Sequence, residues 1–241
     1  MKKTVTIVLV VFLFLLSLQV TALASEESAA YPTKDAAYMA APITNDALLR
    51  QRALAGIDER SAAAKEAGDI QAVILLSEGS DFLPSAAHCT TQLLERSIEN
   101  GVVKESYVTT AVASTRSSKT NHEEMGNVLD VFVTINWRWY YDDGVGQIRQ
   151  YQFINSTHRY ALSGSTTVYS MTAENRVYQP GNLPYDNSQY ISSPISDRVY
   201  SLDGADYSVY PGGDGHGYAA KTTVNTAAGS IAAEVSFASA P

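Results

Sequence analysis

The sequence predicts a mainly β protein, an antiparallel sandwich or partly open barrel preceded by a short helical segment, α+β overall. Three observations carry this reading. Residues 128–141 alternate apolar and polar side chains. Short runs rich in Val, Thr and Tyr recur from Val102 to the C-terminus, separated by Gly, Pro, Asn and Asp. Residues 46–68 instead place apolar side chains four apart, the helical spacing.

The chain opens with Lys2 and Lys3, an apolar run to Val20, and Ala22-Leu23-Ala24 before the polar Ser25-Glu26-Glu27. This is the pattern of a cleavable export signal of residues 1–24, cut after Ala24, and its short basic start has a bacterial character. The apolar run is near the lower limit for spanning a bilayer, and the small-x-small tripeptide favours cleavage over a retained anchor. The expected product is secreted and starts at Ser25. Residues 25–45 read as a flexible linker, 46–100 as a helical segment and 101–241 as a β-rich domain.

Asn45 or Asp46 caps the first expected helix. Leu49, Ala53 and Ile57 share one side of it, with Leu48 and Leu54 beside them, and Gly68 ends it. Residues 69–76 are ambiguous between a helix and a buried strand. Residues 90–99 read as a short helix stopped by Gly101. Residues 103–113 begin the β texture, and 114–121 are a polar loop. In 128–141, Val131, Val133, Ile135, Trp137, Trp139 and Tyr141 share a face, assigned to the core.

Asp142-Asp143-Gly144-Val145-Gly146 is a turn, and 147–155 the returning strand. Pairing Tyr141 with Gln147 sets Trp139 against Arg149, Trp137 against Tyr151 and Ile135 against Phe153. Further strands are expected at 158–162, 166–172, 198–202, 207–210, 218–224 and 230–237, with a long loop at 179–193.

Composition narrows the function. The formal charge is −8 for the whole chain, and losing Lys2 and Lys3 with the leader leaves −10. An acidic chain without Lys/Arg clusters argues against nucleic-acid binding and against docking on anionic lipid after cleavage. The lone Cys89 excludes an intramolecular disulfide.

Catalytic motifs are incomplete. His122-Glu123-Glu124-Met125-Gly126 has Gly126 where a zinc protease needs its second His. No Gly-x-Ser-x-Gly elbow occurs; Leu162-Ser163-Gly164-Ser165 reads as a turn. His88 adjoins Cys89, poor geometry for a nucleophile–base pair on a regular element. Carboxylates for glycoside cleavage would have to come from Glu124, Asp130, Glu174, Asp197, Asp203 or Asp206.

No cofactor is expected. Calcium at Asp203, Asp206 and Asp214 is the one exception the Asp/Gly-rich loops admit, although the twelve-residue calcium loop is absent. Fifteen tyrosines occur, twelve of them from Tyr140 to Tyr218. Tyr joins an apolar body to a polar tip and suits sugar or peptide contacts. The expectation is therefore a non-catalytic cell-surface or extracellular binding module. It would hold a cell-wall polysaccharide or a surface protein at Tyr185, Tyr190, Tyr207 and Tyr210. A secreted hydrolase and a structural or assembly component are the alternatives.

Overall fold

A computed structural model describes residues 38–83, 86–117, 128–142, 149–164, 166–178, 185–192, 199–209 and 217–239, with the backbone alone for 117, 142, 149, 177–178, 185–192, 199–209 and 239. The expected leader, most of the expected linker, the His122-Glu123-Glu124 stretch, Tyr210 and Asp214 lie outside the described residues.

Two helices form among them, α1 (Asp46–Leu54) and α2 (Ala62–Glu66). The strands in chain order are β1 (Tyr38–Met39), β2 (Gly68–Leu76), β3 (Phe82–Leu83), β4 (Ala87–Glu99), β5 (Val102–Ser117) and β6 (Val128–Asp142). They continue as β7 (Arg149–Ser163), β8 (Val168–Tyr178), β9 (Tyr185–Ser192), β10 (Val199–Val209), β11 (Gly217–Thr226) and β12 (Gly229–Ser239).

One sheet runs β1-β4-β5-β6-β7-β10, with β3 on β5. The other runs β2-β12-β11-β8-β9. The pairings are antiparallel. The sheets face each other, β12 over β5 and β6, and β11 over β6 and β7. The expected mainly β sandwich with a helix ahead of its strands is the observed fold.

Alternation builds the core, because a strand sends successive side chains to opposite faces. From β6, Val131, Val133, Ile135, Trp137 and Trp139 point between the sheets, each at most 2% exposed. Tyr107 stacks on Trp137 with ring centroids 4.6 Å apart, and Tyr151 on Trp139 at 4.5 Å. Phe237 closes the cluster from β12, 4.5 Å from Tyr151. Both tryptophans are thus core, and neither forms an exposed sugar platform.

Several local expectations are corrected. Residues 90–99 belong to strand β4, and Gly101 ends no helix: Asn100 (φ 53°) and Gly101 (φ 82°) form the two-residue turn between β4 and β5. Both residues hold positive φ, the requirement of a type I′ hairpin. The helix expected to reach Gly68 breaks after Leu54 and resumes only over α2, capped by the Ser61 side chain. Residues 69–76 are strand. The expected loop at 179–193 contains β9, and the expected strands 198–202 and 207–210 are one strand, β10, with a register shift between Asp203 and Tyr207.

The β6–β7 hairpin also differs. Tyr141 pairs with Arg149, Trp139 with Tyr151 and Trp137 with Phe153. This is a two-residue displacement, so the apolar face expected inward stays inward. A bulge at Asn136/Trp137 then switches β7, and Ser156, His158 and Tyr160 face inward beyond it.

Candidate functional site

The outer face of the larger sheet carries α1. Asn45 caps the helix by accepting from the Leu48 amide at 3.0 Å. Leu49 and Ala53, four apart, are its buried residues. Ala53 packs with Val112 and Phe132, which project from the sheet on the side away from the main core. Two ion pairs fix the helix across the strands: Asp46 with Arg159 of β7, and Arg50 with Asp130 of β6. The Arg159 guanidinium also lies 4.1 Å above the Phe132 ring.

Beyond α1 the chain wraps the β4 edge. Thr91 donates to Ile57 O at 3.1 Å, and Glu59 donates to Thr91 O at 3.0 Å. It then enters the sandwich at Ser61, where a buried polar cluster forms. Ser61 Oγ and Tyr107 OH each donate to Glu105 Oε2 at 2.7 Å, and Arg96 Nε lies 3.5 Å from Oε1. Glu105 is fully buried, so these partners supply what water would otherwise supply.

Between α1 and the first turns of β3 and β4 the sheet is left open. The result is a cleft of about 370 Å³, within the size range of small-molecule sites. Val112, Ser114, Val128 and Asp130 form its floor; Arg50, Ala53 and Leu54 one wall; Leu83, Ala86, His88 and Arg116 the other. Leu54 and Leu83, at 62% and 53% exposure, are large apolar side chains at its mouth. Asp130 is 5% exposed; it accepts from Ser114 Oγ at 2.6 Å and pairs with Arg50, so its charge is matched. Arg116 is exposed and has no acidic partner among the described residues. The cleft therefore offers apolar walls, polar anchors and, among the described residues, one cation without an acidic partner.

A second constellation resembles a nucleophile and base without being able to act as one. Ser156 Oγ lies 2.6 Å from His158 Nε2, and Thr222 Oγ1 lies 2.9 Å from His158 Nδ1. Ser156 donates its single proton to Asn175 Oδ1 at 2.8 Å. Both ring nitrogens of His158 are thus engaged by neutral hydroxyls. Ser156, His158 and Thr222 are fully buried between the sheets. Burial pushes the His158 pKa down to about 4, so the ring is neutral at physiological pH.

The residues singled out in the sequence are dispersed. Tyr185 and Tyr190 lie on β9, five apart and so on opposite faces of that strand. Tyr207 lies on β10, at the edge of the other sheet, opposite Phe153. Asp203 and Asp206 fall on β10 around its register shift. Among the described residues no three His, Cys, Asp or Glu side chains gather to hold a metal ion.

Two of the candidate carboxylates, Asp130 and Glu174, occupy outer faces of opposite sheets. Glu174 pairs there with Arg176 at 3.0 Å and cannot share a substrate with Asp130. Cys89 packs toward the core while His88 lines the cleft, as alternation on one strand requires. Burial, and then the nearby Asp58, push the thiol pKa up, which keeps it protonated.

Sequence reasoning did not bring together Arg50, His88, Ser114 and Arg116, which lie on three separate elements, α1, β4 and β5. Only the helical spacing of Leu49 and Ala53 hinted that a helix lies over this sheet.

Comparison with protein-family models, curated proteins and solved structures finds no match to this chain.

Proposed function

We propose that this protein is an exported, non-catalytic binding module and that the cleft beneath α1 is its ligand site. The cleft itself carries the proposal: apolar walls, a few convergent polar groups and two exposed leucines at the mouth are the usual make-up of a small-molecule site. A hydrolase is less well supported, because the Ser156–His158 contact is fully buried between the sheets, out of reach of a substrate.

The test is saturable binding by the expected mature chain, residues 25–241, across a panel of cell-wall fragments, polysaccharides, peptides and amphiphiles. Leu54→Asp places a charge at the mouth without touching either sheet. It is expected to abolish binding and leave the melting temperature nearly unchanged. Undiminished binding in that variant would move the site elsewhere.

One observation favours a glycan as an alternative ligand. The outer face of β6 and β7 carries Tyr140, whose hydroxyl donates to Gln152 Oε1 at 3.1 Å, beside Arg138 and the hydrogen-bonded pair Asn136 and Asn155. Half-buried amides next to a tyrosine can meet sugar hydroxyls. Co-sedimentation with insoluble polysaccharide, lost in Tyr140→Ala but kept in Leu54→Asp, would select this face over the cleft. The edge-strand tyrosines Tyr185, Tyr190 and Tyr207, with Tyr210, enter the same assay as a fourfold alanine variant.

A further inference from the structure

We infer that the ligand of the cleft is an amphiphile with an unbranched apolar body and a terminal carboxylate, of the medium-chain fatty-acid class. This rests on the cleft being the ligand site and goes on to name the chemistry it recognises. The argument is one of matching. Ala53, Leu54, Leu83, Ala86, Val112 and Val128 present aliphatic surface and no aromatic ring, so the cleft suits a flexible hydrocarbon better than a planar sugar or nucleobase.

The electrostatics then select the head group. Asp130 is the carboxylate among the described residues of the lining, and it is already engaged by Arg50 and Ser114. A cationic ligand would have to break that buried pair. An anionic one need only meet Arg116, which is exposed, unpaired among the described residues and set where β3 pairs with β5, opposite Leu83. A planar guanidinium accepts a carboxylate in a two-pronged hydrogen bond. His88 lines the same wall as Arg116 and supplies a ring nitrogen as a further partner. The hydrocarbon would then run from Arg116 along Val128 and Val112 toward Leu54.

Titration calorimetry with decanoate, decanol and decyltrimethylammonium, all below their aggregation concentrations, tests this on the full mature chain. Decanoate is expected to bind saturably at one site. A hydrogen bond to a charged group makes decanol weaker by roughly ten- to a hundredfold, and the ammonium should not bind. Arg116→Gln is expected to lower decanoate to the level of decanol and leave decanol unchanged. Leu54→Asp is expected to remove both.

Equal affinity for decanoate and decanol, or decanoate binding unaffected by Arg116→Gln, would overturn the carboxylate assignment. If no decyl compound binds but another ligand of the panel does, and Leu54→Asp abolishes it, the chemical class is wrong and the cleft stands. If no binding responds to Leu54→Asp, the cleft itself is wrong.

Discussion

Acid should loosen this sandwich through one histidine. His158 is held neutral by burial, with a pKa near 4 against an ordinary 6.5, and its partners Ser156, Thr222 and Asn175 carry no charge. The unfolded chain therefore binds a proton between pH 6.5 and 4 that the folded chain refuses. Stability is complete above that window and falls as pH drops through it, until the folded state also takes the proton. Integrating between those two values, acidification from pH 7 to 4.5 removes about 2 kcal/mol through this group.

For a domain of this size that is a fall of roughly 4–8 °C in melting temperature. His158→Gln keeps one donor and one acceptor in the network but cannot titrate. Urea unfolding of both proteins across the window isolates the histidine, because other carboxylates and histidines contribute equally to each. The variant is expected to be less stable at pH 7 and to lose about 2 kcal/mol less than the wild type on acidification. Parallel pH profiles would refute the reasoning and place the acid sensitivity elsewhere.

Other consequences can be checked directly. A Cβ on Gly68 would sit 2.5 Å from the Phe237 ring and 2.6 Å from the Ala238 carbonyl oxygen. Gly68→Ala is accordingly expected to cost roughly 1–3 kcal/mol by urea unfolding, since backbone cannot step aside as a side chain can. Arg50→Met leaves the buried Asp130 carboxylate with the Ser114 hydroxyl but no cation and should cost about 1–3 kcal/mol at pH 7. Adding Asp130→Asn should recover part of that loss, and a strictly additive double variant would show that the two residues do not interact. With Trp137 and Trp139 at 1% and 0% exposure, tryptophan emission should be blue-shifted and protected from acrylamide until the protein unfolds.

The sequence by itself determined what depends on local periodicity. Alternation in residues 128–141 named the inward face of β6 correctly, because a strand's two faces follow from parity alone. The four-residue spacing of Leu49 and Ala53 located α1 and its buried side. Local signals could also mislead. Asn100-Gly101 is among the strongest hairpin dipeptides, yet next to residues 90–99 its glycine passed for a helix stop. The distinction there rests on β5, whose long apolar strand gives residues 87–99 a partner.

What only the tertiary structure decided involves distant pairings. The bulge opposite Asn136/Trp137 leaves the inward face of β6 unchanged but switches the faces of β7 beyond it, and this is what buries His158. The cleft is assembled from α1, β3, β4, β5 and β6, stretches separated by up to eighty residues. Asp130 and His88 drew notice only for other chemistry, and Arg50, Ser114 and Arg116 are inconspicuous in their own segments. They share a site because the helix lies across the outer face of the sheet and stops short of β3. That geometry is set by packing and two ion pairs between distant residues, which no local pattern records.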